Sequence, residues 1–267
     1  MPLPKRRGPF WVCPRNHRAM AYSLETISLS KNFGALQAVL NVNLRVSQGT
    51  IHSVIGPNGS GKTTLFNLLT GFLSPSAGRI VLGGRDITRF PAHKISRLGV
   101  SRSFQITSIF PQLSVRENIR IALQARTSMS YRFLRSLSRD DELEVHSREV
   151  LVKVGLEDKE DLPASNLSHG EKRILDIGIG LATSPQLLLL DEPASGLVGD
   201  EIVRVTDLIK AISRQMTVVL VEHNIDVVLA ISDRITVLCY GEVIAEGSPY
   251  EIQHNSNVQE VYLGASC

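Results

Sequence analysis

Apolar residues recur along this chain in three rhythms, and the changes of rhythm divide it. Near the start, LETISLS (Leu24–Ser30) and AVLNVNLRV (Ala38–Val46) alternate apolar with polar, the period-two pattern of half-buried strands. GRIVLGG (Gly78–Gly84) and SRLGVSRSFQ (Ser96–Gln105) read as further strands. TIHSVI (Thr50–Ile55) reads as a buried strand, and the short, mostly apolar runs QLLLLD (Gln186–Asp191), TVVLVEH (Thr217–His223) and ITVLCY (Ile235–Tyr240) read as further strands of a parallel sheet. Between them TTLFNLLTGF (Thr63–Phe72), a stretch from about Asp200 to Arg214 and a short segment before Ile235 read as helices. From Ile106 to about Leu181 strand patterns vanish, and VRENIRIALQA and DELEVHSREVLVKVGL carry apolar residues at helical spacing. The polar run Ser128–Asp141 within that stretch is expected to be a loop. Strands and helices alternating around one helical stretch predict an α/β fold: a parallel core sheet with an inserted helical subdomain over about 106–181.

At 267 residues the chain can hold one large α/β domain. Its 43% apolar and 21% charged residues are ordinary for a globular protein. The most apolar region, Val218–Tyr240, is interrupted by charged residues, which excludes a membrane span. Cys13, Cys239 and Cys267 have no metal-ligand spacing. The net charge of +3 comes from the first nineteen residues, where Lys5, Arg6, Arg7, Arg15 and Arg18 stand without an acid; the remainder carries −2. That segment lacks the apolar run of a secretory signal. It is expected to be a disordered leader over 1–19, with Met20 as a candidate start, rather than an arm for nucleic acid.

One stretch carries chemistry. GPNGSGKTT, Gly56 through Pro57, Asn58, Gly59, Ser60, Gly61, Lys62 and Thr63 to Thr64, fits the loop that wraps nucleotide phosphates with backbone N–H groups. Glycine lets the chain bend closely around an anion. Lys62 would reach the β- and γ-phosphates, and the Thr63 hydroxyl would hold Mg²⁺. A strand before the loop and a helix after it aim amides and helix dipole at the same anion. The run ending at Asp191–Glu192 puts two carboxylates outside a strand's carboxyl end, where ligands bind in open α/β sheets. Asp191 is expected to hold Mg²⁺, directly or through water, and Glu192 to polarise the attacking water.

LSHGE (Leu167–Glu171) lies just upstream of that strand, and with it the chain resembles the ATP-binding subunits of ABC transporters from about Leu24 to Gly264. The resemblance implies the ABC ATPase fold over 20–267, including an antiparallel β subdomain. It places Phe33 where an aromatic stacks on adenine, and Gln105 where a glutamine senses Mg²⁺ and water beside the membrane subunit. LSHGE matches the signature segment, in which the Ser168 hydroxyl and Gly170 N–H contact ATP held by a second subunit. His223 matches the histidine on the γ-phosphate. Two ATP molecules would thus lie between two ATPase subunits, alike or different. Two departures stand out: His169 replaces a usual glycine, with Glu171 where glutamine is common, and Val198 replaces a usual Asp or Asn that links the two ATP sites.

SRSFQITSIFPQLSVRENI, EPASGL, EHNIDVVLAISDRI and the final VYLG are similar to ATPases of branched-chain amino-acid importers and their relatives for urea and short amides. That resemblance implies transmembrane permease subunits and, indirectly, a solute-binding protein as partners, no nucleic acid, and a peripheral place on the cytoplasmic face of the inner membrane. Lipopolysaccharide-export ATPases and a weakly hydrolysing regulatory subunit are the alternatives.

Overall fold

The computed structural model describes residues 22–103, 109–126 and 137–263. β1 (Tyr22–Phe33), β2 (Leu36–Val42) and β3 (Arg45–Ser47) open it, and β4 (Ile51–Ile55) leads through the glycine-rich loop into α1 (Lys62–Leu69). β5 (Ala77–Leu82), β6 (Arg85–Asp86), α2 (Ala92–Arg97) and β7 (Val100–Arg102) follow. Next come α3 (Val115–Arg126), α4 (Leu137–Val154) and α5 (His169–Ala182). β8 (Leu187–Asp191), α6 (Asp200–Ser213), β9 (Thr217–Val221), α7 (Ile225–Ile231), β10 (Arg234–Cys239), β11 (Glu242–Gly247), α8 (Pro249–Gln253) and α9 (Ser256–Leu263) complete it.

Two sheets result. The first runs β2-β1-β5-β6 with β3 also on β1, all antiparallel. The second runs β11-β10-β4-β9-β8-β7 and is parallel except for the β10–β11 hairpin. Because strand side chains alternate between faces, one strand can feed two cores. Leu188, Leu190, Val218 and Leu220 pack with the helices α3 to α6, including Ile119, Val150, Leu175 and Ile209. Leu187, Leu189, Val219 and Val221 face the other way, onto α1 residues Leu65, Phe66 and Leu69 and onto Leu29 and Val39 of the antiparallel sheet. The central sheet is therefore covered on both faces, which is why β8 and β9 read as apolar runs and why even the polar His52 and Ser53 of β4 are buried.

Three local expectations need correction. The expected single strand Ala38–Val46 is divided between β2 and β3. The Thr26 hydroxyl sits at the break, donating to Val42 O (2.9 Å) and accepting from Leu44 N (2.8 Å), so the buried backbone there stays paired. Of the expected strand Ser96–Gln105, Ser96 and Arg97 close α2, and β7 begins at Val100. Helix residues directly before a short strand blur the two periods. Of the expected loop Ser128–Asp141, residues 128–136 lie outside the described residues, and Leu137–Asp141 instead open α4, since acidic residues are favoured at a helix start.

Candidate nucleotide site

β4 lies between β10 and β9, so its carboxyl end delivers the glycine-rich loop to the middle of the sheet edge. Gly61 caps α1 with φ 101°, and a Cβ there would stand 2.4 Å from Ala38 O. No other residue fits that approach. The loop is braced by the β10–β11 hairpin, where Gly241 N donates to Ser60 O at 3.0 Å. Lys62 is folded onto its own loop: Nζ donates to Gly56 O (2.7 Å) and Pro57 O (2.8 Å). Burial holds its ammonium below the ordinary lysine range, while the charges of Glu192 and Asp191 pull it back up.

A cavity of about 490 Å³ opens over this loop. It gathers Phe33, Asn58, Gly59, Gly61, Lys62, Thr63, Thr64, Glu192 and His223, and Tyr240 joins them. Gly56, Pro57 and Ser60 stand behind the wall, the first two as carbonyl partners of Lys62 and Ser60 as a buried side chain. Gln105 lies outside the described residues.

The strand-end acids are held differently from each other. Asp191 is buried, and its Oδ2 accepts from Arg102 Nη2 at 2.7 Å. Arg102, on the neighbouring β7, also donates Nη1 to Asn67 Oδ1 at 2.6 Å, tying the acid to α1. Glu192 follows in the left-handed region (φ 50°), a strained backbone for a non-glycine residue. That strain turns its carboxylate out of the strand line, where Oε1 meets His223 Nε2 at 2.6 Å. Arg173 from α5 donates to Glu192 O and Pro193 O and fixes the turn. Buried Glu222 fixes the other side, accepting from Ala194 N (2.7 Å), His223 N (2.8 Å) and Asn224 N (3.1 Å). Thr63 and Asp191 are hard oxygen donors of the kind Mg²⁺ takes, with phosphate and water supplying the rest of its shell. Among the described residues no group of three His, Cys, Asp or Glu side chains could hold a metal by itself.

Ser168 and Gly170 stand apart from this cavity, at the start of α5. Ser168 caps the helix in a reciprocal box: its Oγ accepts from Glu171 N, and Glu171 Oε2 accepts from Ser168 N at 3.0 Å. The Glu171 carboxyl is held below its ordinary pKa, chiefly by the hydrogen bond from Lys159 and further by the Ser168 backbone. A glutamate here is thus an anion at a helix N-terminus with a lysine on it, an arrangement in which charge adds to the cap. His169 lies over the loop before α6, its Cε1 3.2 Å from where a Gly196 Cβ would be. Across from it, Glu201 Oε1 accepts from Gly170 N at 3.1 Å and from Ser168 Oγ at 3.3 Å. Val198, in the same loop, is 74% exposed.

The model of the ABC transporter family matches residues 39–195, more than half the chain. This chain belongs to the ABC transporter family. It is an ATPase of that family. A second model, the branched-chain amino acid ATP-binding cassette transporter, matches residues 242–266 of the cassette. The high-affinity branched-chain amino acid transport ATP-binding protein BraF of Pseudomonas aeruginosa is 39% identical over 254 residues, 90% of this chain and 97% of that protein. LivG of Escherichia coli, of the same description, is 39% identical over 248 residues, 90% and 97% of the two chains. The lipopolysaccharide export ATP-binding protein LptB of Escherichia coli is 32% identical over 243 residues, 91% and 97% of the two. A nucleotide-free ATP-binding cassette of an ABC transporter superposes with a TM-score of 0.81 at 28% identity, over 91% of this chain and all of that one. A dimeric post-hydrolysis cassette bound to ADP and Pi superposes with 0.71 at 26% identity, over 85% and 98%.

Sequence reasoning missed Arg102, Arg173, Glu222 and Glu201. Glu222 adjoins the expected site residue His223, and Arg102 lies three residues before Gln105 in SRSFQ; a charge inside a strand run was the available signal. Glu201 gave none, because the contact it makes exists only in the folded chain.

Proposed function

We propose that this cassette hydrolyses ATP to drive uptake of branched-chain amino acids, or related small molecules such as urea and short amides, through separate membrane subunits. The observation that carries the reading is 39% identity to BraF over nine-tenths of the chain, with the branched-chain amino acid model matched at the C-terminal end. The lower identity to LptB, 32%, supports a lipopolysaccharide exporter as the second reading. The cassette would sit peripherally on the cytoplasmic face beside its permease subunits, with a solute-binding protein acting on the far side. No helix among the described residues is long and apolar enough to cross a membrane.

In this reading Phe33 stacks on adenine while the Gly56–Thr64 amides and Lys62 bind the β- and γ-phosphates. To do so Lys62 leaves the Gly56 and Pro57 carbonyls, exchanging two neutral acceptors for charged ones. Thr63 and Asp191, with Gln105, would hold Mg²⁺, which when bound neutralises charge building on the phosphate oxygens. Glu192 takes a proton from the water that attacks the γ-phosphorus, and the bond to the β-phosphate oxygen breaks. His223 already touches Glu192, so it is placed to hold the carboxylate in line and to meet the γ-phosphate from the same side. Ser168 and Gly170 of a second cassette close the site, and water is excluded only when both halves meet.

Two experiments test this. Glu192→Gln is expected to bind ATP, stall hydrolysis and accumulate as an ATP-bound dimer on size-exclusion chromatography; a monomeric variant with normal turnover would remove Glu192 from the role. For the cargo, the assembled transporter in proteoliposomes should show ATPase stimulation by leucine or isoleucine with the binding protein. Stimulation by lipopolysaccharide instead would favour the second reading.

A further inference from the structure

We propose that Glu201 is an internal competitor for the partner's ATP: its carboxylate occupies the Ser168–Gly170 site at rest and must leave before two cassettes can close. The inference rests on the reading of Ser168 and Gly170 as the contacts to ATP of a second subunit. A single oxygen, Oε1, takes both donors that reading assigns to the partner's ATP, Gly170 N at 3.1 Å and Ser168 Oγ at 3.3 Å. A phosphate oxygen reaching the same two hydrogens would have to stand where Oε1 stands, so both anions cannot be there at once. The chemistry is matched as well as the place. Carboxylate and phosphate oxygens are both anionic acceptors, and a helix N-terminus favours either.

Gly170 is what makes the approach possible. A Cβ on it would lie 2.8 Å from Oε1 and 2.9 Å from Cδ of Glu201, so any larger residue would expel the carboxylate. A ligand phosphate would need the same open backbone.

The contact is not part of what starts α5. Ser168 and Glu171 already satisfy each other in the capping box, with Lys159 on the glutamate. Glu201 is added across 31 residues from the first turn of α6, next to the loop that carries Val198. Its backbone N–H is held by Val198 O at 3.2 Å, so the competing carboxylate and the exposed loop form one short unit. A partner docking on that loop would meet the competitor at the same moment. Rotation of one long side chain is enough to clear the site, so the device needs no backbone rearrangement. It sets a threshold: ATP on one cassette must outbid a carboxylate on the other.

The test measures ATP-dependent dimerisation by analytical ultracentrifugation, in the Glu192→Gln background so that turnover does not dissolve the dimer. Replacing a charged acceptor on two donors is expected to tighten the dimer about ten-fold in Glu201→Ala, and less in Glu201→Gln, which keeps a neutral acceptor. Asp200→Asn removes a charge from the same turn without touching the site, and should change affinity by less than about two-fold. Equal effects from Asp200→Asn and Glu201→Ala would reduce the result to net charge and overturn the proposal, as would an unchanged or weaker dimer in both Glu201 variants. Should Glu201→Ala lower the melting temperature, Glu201→Gln carries the comparison. Gly170→Asp separates the two readings. If it leaves ATP-dependent dimers intact, Ser168–Gly170 is not the partner's site at all; if it abolishes them while the Glu201 variants stay at wild-type affinity, only the competitor falls.

Discussion

The two anion sites proposed for this cassette both have their polar groups engaged by the chain itself, but in different ways. At the phosphate loop, Lys62 is held by carbonyls five and six residues away, inside one loop. At the start of α5, Ser168 and Gly170 are held by a carboxylate more than thirty residues away, on another helix. The first is local and comes with the motif. The second is tertiary and can be tuned by whatever moves the loop before α6. In the proposed reading the phosphate loop takes a nucleotide without help from a second chain, whereas the second site answers to a partner.

The comparison can be broken hardest at the phosphate loop. Lys62→Ala should lower ATP turnover by at least about a thousand-fold, since it removes a buried cation from the proposed phosphate loop. Near-normal phosphate release by that variant would mean the loop does not organise the reaction. Next in size is the buried pair behind it. Arg102→Met leaves the buried Asp191 carboxylate without its arginine, and should cost about 3–5 kcal/mol of folding stability in urea titrations. A loss under about 1 kcal/mol would mean that Asp191 is solvated by another route.

Acid should separate the two halves. His52, on β4 beneath the loop, bonds Thr236 Oγ1 at 2.8 Å, and burial, helped by Arg234, lowers its pKa to about 4. In the unfolded chain it takes a proton near its ordinary 6.5. The unfolded state therefore binds more protons between those values, so stability is full above about pH 6.5 and falls by about 3 kcal/mol toward pH 4. Glu171, whose folded pKa is lowered, contributes stability above its ordinary value of 4.5 and loses it only below that. Urea midpoints at pH 7, 5.5 and 4.5 should show the His52 phase, and the double change His52→Val with Thr236→Val should flatten it. A midpoint independent of pH in the wild type would contradict the burial argument.

The phosphate loop, the paired acids and the buried strands were legible because each is a run of adjacent residues whose chemistry and position coincide. Gly56–Thr64 is loop and ligand shell at once, and Leu187–Asp191 is strand and carboxylate at once. Arg102, Arg173, Glu222 and Glu201 were not legible, since a charge's partner is set by which strands and helices the fold makes neighbours. The same limit hid the division of the first β region at Thr26, whose role depends on two carbonyl and amide groups sixteen and eighteen residues away. His169 and Glu171 looked like departures in a motif; in the fold one lies over Gly196 and the other completes a helix cap.

The smallest expected effect is at Val198. An exposed apolar side chain in the loop beside Glu201 offers no hydrogen bond across a seam. Val198→Asp should alter coupling between two ATP sites, by about 1–3 kcal/mol, without changing nucleotide affinity. ATPase cooperativity in the assembled transporter reads this directly, and an unchanged Hill coefficient and rate would leave Val198 without a part in coupling.

In the proposed reading the catalytic site is divided between two chains, Lys62 and Glu192 from one and Ser168 and Gly170 from the other. Mixing two inactive variants decides this. Lys62→Ala keeps an intact Ser168–Gly170 half, and Ser168→Arg keeps an intact phosphate loop. Each alone should be silent, and the mixture should recover ATP turnover through one complete composite site. Full activity of Ser168→Arg by itself, or a mixture as silent as its components, would contradict a divided site.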